Sequence, residues 1–182
     1  LYMTSASTTM NLLDCTVNNV NGRSGNNITV EGGTLTIDGA KIINECENSR
    51  NIATNNSGSN VGNIVIKSGT ISGGARTNDN GGNIFIGQND TLTISGGTIS
   101  GCYAKSNGGV IYMDGTDGAT VKMTGGRIEG NATDYNAGGK GAIFVNGNNT
   151  FELDGGTIYK TYVDGQGGAI YAVGTEGKIA NV

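Results

Sequence analysis

The side chains of this sequence that could catalyse a reaction are a few carboxylates and one lysine. Glu152 and Asp154 alternate along one predicted strand, and Lys122 falls about one repeat before Glu152. Two carboxylates that face one cleft can hydrolyse a glycosidic bond, and a lysine beside a carboxylate can act in proton transfer. The structural alternative is a stacked Lys–Glu pair on a solvated sheet face. The acids predicted to point outward are Glu31, Asp38, Asp114, Asp117, Glu129, Glu152 and Asp154.

This set is sparse for an enzyme, and the chain has no histidine. We therefore expect no catalytic residues and keep a carbohydrate-active β-helix, a polysaccharide lyase or a glycoside hydrolase, as the alternative. The DGTDG segment at 114–118 could bind calcium through its carboxylates, but it is also typical of a hydrophilic corner turn. We expect neither a metal nor a cofactor.

The three cysteines, Cys15, Cys46 and Cys102, form neither a CxxC motif nor any metal-binding spacing. They are expected to be small hydrophobic side chains inside the fold. A disulfide between Cys15 and Cys46 is the alternative, because these residues lie about one repeat apart.

Aromatic residues recur at one position of the repeat and form the predicted binding face. They are Phe85, Tyr112, Phe144 and Tyr171, and the same position upstream holds Thr29 and Ala53. Outward rings in line would offer a surface to sugars or to a protein. Two alternatives stay open: another segment or subunit covers the rings, or the alternation is inverted and the rings lie inside. On the first interpretation, Tyr112→Ala with Phe144→Ala leaves folding almost intact and abolishes binding.

The elements that position these residues follow from an internal repeat of about 27–32 residues. Each unit contains three short alternating strands, for example Ile84-Phe85-Ile86 and then Leu92-Thr93-Ile94, with a third strand centred on Ile99. Three strands with one apolar face each close most simply into a triangular coil, in which each strand pairs in parallel with its equivalent in the next coil. We predict an all-β, right-handed, single-stranded parallel β-helix with six to seven coils. It forms a single domain, 1–182, cut from a longer chain.

The turns and the predicted core support this fold. Pairs of glycine recur between the strands, where a positive φ is cheap only for glycine, and the chain has no proline. A β-sandwich remains the alternative, since it shares short strands and turns. One elongated core should bury the inward residues of the last complete repeats. These are Ile84, Leu92, Ile94, Ile99, Ile111, Val121, Met123, Ile128, Ile143, Leu153 and Ile158.

The repeats GGVIYMDG, SGGTISG and GGAIYAVG resemble the parallel β-helix repeats of the pectin-lyase-like superfamily. They are most similar to the glycine-rich repeats of large bacterial cell-surface proteins and autotransporter-like passengers. The resemblance covers nearly the whole chain and implies export, and therefore an extracellular or cell-surface location. It speaks for the fold more than for an activity.

Charge and hydropathy limit the partners. The net charge is -4, the eleven Lys and Arg residues are scattered, and no apolar run is long enough to span a bilayer. We expect no nucleic acid partner and no direct membrane insertion. The function expected is a non-catalytic stalk or adhesin-like segment of a bacterial surface protein that binds a glycan or a host or cell-surface protein. The ends of a solenoid expose its core, so end-to-end or flanking-domain contacts are also expected.

Overall fold

The computed structural model describes residues 1–19, 25–54, 60–77, 79–114, 118–130, 132–133 and 139–174. All regular elements in this part of the chain are β-strands. The first nine are β1 (Tyr2–Met3), β2 (Thr9–Leu13), β3 (Thr16–Asn19), β4 (Ile28–Val30), β5 (Gly33–Asp38), β6 (Lys41–Glu47), β7 (Ile52–Thr54), β8 (Gly62–Ile66) and β9 (Thr70–Arg76). The others are β10 (Ile84–Ile86), β11 (Thr91–Ile94), β12 (Thr98–Ser100), β13 (Tyr103–Ala104), β14 (Ile111–Met113), β15 (Thr120–Glu129), β16 (Ala132–Thr133), β17 (Ile143–Asn146), β18 (Thr150–Tyr159) and β19 (Ile170–Val173).

These strands wind into a parallel β-solenoid with about three strands per coil. The first strand of each coil joins one sheet in the order β1-β4-β7-β10-β14-β17-β19. The second and third strands of the coils form the other, bent sheet. Every pair of named strands is parallel. The predicted β-helix is therefore confirmed, and a sandwich of two antiparallel sheets is excluded.

A regular register stacks like residues on like residues along most of the solenoid, with shifts only in the pairs β6–β9 and β15–β18. Ile84 pairs with Ile111, and Ile111 pairs with Ile143. On the second strand, Leu92 pairs with Val121. Because neighbouring strands lie about 4.8 Å apart, each such column is a continuous contact between side chains of similar shape. We call the set of residues that occupy one position of the coil in successive coils a column.

The core fills the interior of the coils and agrees with nine of the eleven residues predicted. Those nine side chains are at most 1% exposed. Leu153 is an error of the prediction, because it is 47% exposed, and Ile158 is only partly buried against the core. Both lie on β18, which in the described part of the chain pairs with β15 alone. Phe151 on the same strand is fully buried, so the exposure is confined to the later residues of β18, and the repeat pattern does not contain that information.

Glycine pairs form the predicted corners, and one glycine of each pair has a positive φ. Before the first strand it is the leading glycine, as in Gly81 with φ 71°. Between the second and third strands it is the trailing one, as in Gly97 with φ 81°. The partner glycine is needed for space: a Cβ on Gly82 would lie 2.2 Å from the carbonyl oxygen of Tyr103. Each pair thus combines a left-handed turn with close backbone packing.

The alternation of β11 gives a matched test of the core. Ile94 is 1% exposed, whereas its neighbour Thr93 points outward and is half-buried. Ile94→Ala should lower the free energy of unfolding by about 2–5 kcal/mol because it leaves a cavity between coils. Thr93→Ala should change it by no more than about 0.5 kcal/mol. Urea unfolding followed by circular dichroism measures both, and equal effects would contradict the assignment of inner and outer faces.

Candidate functional site

The four predicted aromatic residues form one outward column on the first-strand sheet. Phe85 pairs with Tyr112, Tyr112 with Phe144, and Phe144 with Tyr171. Ile84 and Ile86, which flank Phe85 in β10, are fully buried in the core. Since successive side chains of a strand point to opposite faces, the rings lie outside the core. The inverted alternative, with rings inside and isoleucine outside, is wrong.

The rings stack on one another like a ladder. The ring centroids are 5.9, 5.4 and 5.4 Å apart in chain order, with interplanar angles of 25°, 12° and 15°. Offset or near-parallel stacking at these distances is favourable beyond the burial of area alone. We call Phe85, Tyr112, Phe144 and Tyr171 the aromatic ladder.

The inner rings of the aromatic ladder are not exposed, which corrects the expectation of an open ridge. Tyr112 is 8% exposed and Phe144 is 6% exposed. Each has a ring stacked on both sides, and the corner glycines Gly81 and Gly108 lie so near that a Cβ on either would be 3.0 Å from the Cβ of Tyr112. Burial raises the pKa of the Tyr112 hydroxyl, and the nearby Asp114 carboxylate raises it further. Phe85 and Tyr171, at the two ends, are half-buried.

A cation lies over the ring at each end of the aromatic ladder. The guanidinium carbon of Arg50 is 4.9 Å from the Phe85 centroid, and the ammonium of Lys140 is 4.8 Å from the Tyr171 centroid. Cations are attracted to the negative face of an aromatic ring, so both contacts stabilise the ends. Lys140 Nζ also lies 3.4 Å from the Tyr171 hydroxyl.

Arg50 is held in place by residues of the next coil, and the sequence did not point to it. Its Nε donates to the Gly81 carbonyl at 3.0 Å, and a terminal nitrogen donates to the Asn80 carbonyl at 2.7 Å. The same terminal nitrogen lies 3.4 Å from the Asp79 carboxylate. Burial lowers the pKa of Arg50 to about 10. The small residue Ala53, which precedes Phe85 in the column, leaves room for this guanidinium beside the ring.

The stacked geometry determines what the aromatic ladder can do. A sugar binds an aromatic side chain through the ring face, and the faces of Tyr112 and Phe144 are occupied by neighbouring rings. A ligand would meet mainly ring edges. The arrangement is therefore suited to holding four successive coils together, and it offers little area for stacking a ligand.

The acidic and basic residues considered for catalysis form an exposed ion-pair cluster. Lys122 Nζ lies 2.7 Å from Glu152 and 2.6 Å from Asp154. These hydrogen bonds, to Asp154 first and Glu152 second, raise the pKa of Lys122. A general base must lose its proton near the working pH, so this lysine is held in the wrong state for that role. Its register with Glu152 agrees with the stacked pair.

The remaining predicted chemistry is mostly structural or outside the described residues. Residues 115–117 of the DGTDG segment, including Asp117, are not among the described residues. Cys15, Cys46 and Cys102 form no disulfide, so the alternative of a Cys15–Cys46 disulfide is not seen. In the described part of the chain, no three His, Cys, Asp or Glu side chains gather as a metal site. No helix there is long and apolar enough to cross a bilayer.

Buried amides form a second column that the sequence analysis overlooked. Asn27, Asn51 and Asn83 each precede the first strand of their coil and are at most 7% exposed. Asn27 Nδ2 donates to Asn51 Oδ1 at 3.0 Å, and Asn51 Nδ2 donates to the Ser72 carbonyl at 2.9 Å. Amides can satisfy each other between coils because each carries both donors and an acceptor. The recurring Asn-Ile pair at this position was a visible signal.

Asp90 is a buried carboxyl at the corner before the second strand. It is 1% exposed, and its Oδ1 accepts a hydrogen bond from the Gly62 amide at 2.6 Å. Its Oδ2 has no hydrogen-bond partner among the described residues. Burial raises the pKa of Asp90. Two coils later the same corner holds Asn149, whose Oδ1 accepts from the Ala119 amide at 2.9 Å.

Comparison with known proteins adds no relative to this description. No protein-family model, no curated protein and no solved structure matches the chain.

The aromatic ladder can be tested against an exposed residue of the same column. Tyr112→Ala removes a buried ring with a ring on each side, so the free energy of unfolding should fall by about 3–5 kcal/mol. Tyr2 occupies the same outward position in β1 and is 62% exposed. Tyr2→Ala should change the free energy by about 0.5 kcal/mol or less. Thermal and urea unfolding measure both. A Tyr112→Ala protein as stable as the wild type would restore the interpretation as an open ridge.

Asp90 and Asn149 allow a reciprocal test of buried charge. A folded-state pKa above the unfolded value means that folding favours protonated Asp90, so its contribution to stability is lost as the pH rises through the folded pKa. Asp90→Asn should therefore raise the melting temperature near pH 7, and the gain should shrink below about pH 4. Asn149→Asp should lower it near pH 7, because its Nδ2 donates to the Asn146 carbonyl at 2.6 Å. A gain from Asp90→Asn that does not depend on pH would contradict this account.

Proposed function

We propose that this chain is a non-catalytic, stalk-like β-solenoid segment of an extracellular bacterial surface protein, which carries a binding surface for a glycan or a protein. The observation that carries the proposal is the double cohesion between coils. Apolar columns stack inside the solenoid, and the aromatic ladder stacks outside it across four coils. A structure with both is suited to bear load and to keep a fixed spacing.

The dimensions support a spacer. Seven strands stand side by side in the first sheet, and six intervals of about 4.8 Å give a length of about 29 Å along the solenoid axis. Pulling along this axis loads the backbone hydrogen bonds between coils, and the coils should be released from an end one after another. Each coil contacts only its neighbours, so such a segment can be lengthened by adding coils without changing its cross-section.

The composition of the outer surface supports a binding role more than a catalytic one. The outward positions of the second and third strands are mostly threonine, serine and asparagine, such as Thr91, which pairs with Thr120. The cluster most like a catalytic pair, Lys122 with Glu152 and Asp154, holds its lysine protonated. The extracellular location is part of the proposal and rests on the resemblance of the glycine-rich repeats to exported surface proteins.

Force spectroscopy on the chain held between two handle proteins tests the load-bearing role. The wild type should resist unfolding in a stepwise manner, with release of about one coil, 27–32 residues, per step. Tyr112→Ala should lower the unfolding force, since it interrupts the aromatic ladder at an inner ring. Tyr2→Ala serves as the control and should leave the force unchanged. Equal forces for all three chains would contradict a load-bearing aromatic ladder.

The enzyme alternative has its own assay. The chain is incubated with plant and bacterial polysaccharides, and new reducing ends and unsaturated products are measured. We expect none above the background. Product release that Glu152→Gln or Asp154→Asn abolishes would overturn the non-catalytic assignment and would make the ion-pair cluster an active site.

A further inference from the structure

One outward face changes from short to long side chains between the fourth coil and the fifth and sixth coils. On the third strand, Thr70 pairs with Thr98, and Ser72 pairs with Ser100, so the third and fourth coils carry small hydroxyl side chains here. The second coil has Lys41 and Ile43 in the same two columns. In the fifth coil the same columns hold Arg127 and Glu129. Glu129 is in turn followed by Tyr159. The long side chains of the fifth and sixth coils thus lie beside the short hydroxyl side chains of the third and fourth coils.

These long side chains contact one another. The guanidinium of Arg127 lies over the ring of Tyr159 at 4.6 Å, and its Nε is 2.5 Å from the Glu129 carboxylate. The ammonium of Lys160 lies 5.3 Å from the same ring centroid. Tyr159 is 44% exposed and the side chain of Arg127 is 43% exposed. The cations are therefore both positioned and open to solvent.

The hydrogen-bonding capacity of the two cations is largely unused. Within the described residues, Arg127 donates from Nε alone, and Lys160 has neither a hydrogen bond nor an ion pair. The two terminal nitrogens of a guanidinium form a planar fork that fits one carboxylate. Thr98 and Ser100 are short, so they do not shield this fork from the side of the preceding coil.

The backbone at Lys160 supplies a second, independent observation. Its φ is 50°, in the left-handed region, whereas the two preceding coils have Gly101 and Gly130 at this corner with φ values of 63° and 60°. A lysine is disfavoured in this conformation and glycine is not. Residues held in such conformations concentrate at binding sites and catalytic sites. The substitution of glycine by lysine places an ammonium beside Tyr159 at a cost to stability.

We propose that Arg127, Tyr159 and Lys160 form a docking site for an acidic peptide segment of a partner protein. Arg127 binds one carboxylate with its terminal nitrogens, Lys160 binds a second, and the Tyr159 hydroxyl contacts the peptide backbone. A peptide fits better than a sugar, because sugars stack on ring faces and Arg127 already lies over this ring. Arginine and tyrosine are also the residues that most often anchor protein interfaces. This inference names the partner for the binding surface in the proposed function and rests on it.

The test uses three probes on the full chain: a labelled hexa-glutamate peptide, a hexa-glutamine peptide and a galacturonate hexamer. Hexa-glutamate should bind at low ionic strength, more weakly as salt is added, and hexa-glutamine should not bind. Arg127→Gln and Lys160→Gly should each weaken hexa-glutamate binding at least about fivefold. Lys67→Ala, which removes one exposed positive charge from the corner before the third strand two coils earlier, should leave the affinity within about twofold.

Lys160→Gly separates binding from folding. Glycine relieves the left-handed strain, so this variant should melt at the same or a higher temperature than the wild type while it loses affinity. If hexa-glutamate binding survives both Arg127→Gln and Lys160→Gly, or if Lys67→Ala lowers it equally, the site is wrong. If the galacturonate hexamer binds more tightly than the peptide, the partner is an acidic glycan and the proposal fails in its ligand class. Neither result would alter the forces measured for the load-bearing role, so failure of this site and failure of the stalk are distinguishable.

Discussion

The rest of the structure depends on the in-register hydrogen bonding between successive coils. Each strand pairs in parallel with its equivalent one coil away, so a residue lies about 4.8 Å from the residue at the same position of the repeat. A side chain is therefore acceptable only if it is compatible with the side chains above and below it. Isoleucine satisfies this condition by shape, as in the column of Ile84, Ile111 and Ile143.

Polar and charged side chains meet the same condition by different means. Asn27 and Asn51 are compatible because one amide donates to the other. Like charges are not compatible, which explains why Lys122 is followed by Glu152 and why Asp90 lies between Gly62 and Ala119 in its column. The neighbours of Asp90 in its column add no charge repulsion. Burial still disfavours the ionised carboxylate, and the pKa of Asp90 is raised for this reason.

Much of the fold was predictable because one register is repeated along the chain. The Ile-x-Ile triplets and the paired glycines recur with nearly constant spacing, and together they predict the strands, the corners and the outward direction of Phe85. The burial of Tyr112 and Phe144 was not predictable in the same way. It arises from the rings stacked on either side and from the packing of corner residues. That packing depends on the conformation of turns of variable length.

Errors at single residues have the same origin. Leu153 has the inward position of a core residue, yet it is 47% exposed near the end of a strand that no described strand flanks on its far side, whereas Phe151 earlier in the same strand is buried. Arg50 is a loop residue in the sequence, and only the path of the corner brings its guanidinium over Phe85. The repeat pattern predicts whether a position points inward or outward in every coil. It does not describe the neighbours that one particular coil has.

This distinction separates cohesion from specificity in the molecule. A column that keeps one residue type, such as isoleucine in the core or the rings of the aromatic ladder, stabilises contacts between coils and can be extended without limit. A column that changes type gives one coil a chemistry that the others lack. The third-strand face does this where threonine and serine give way to Arg127 and Glu129, and where the corner glycine gives way to Lys160. Contacts between coils tolerate such a change only on the outer face. A binding site in a solenoid of this kind therefore lies in the outward columns, at the coils where the residue type changes.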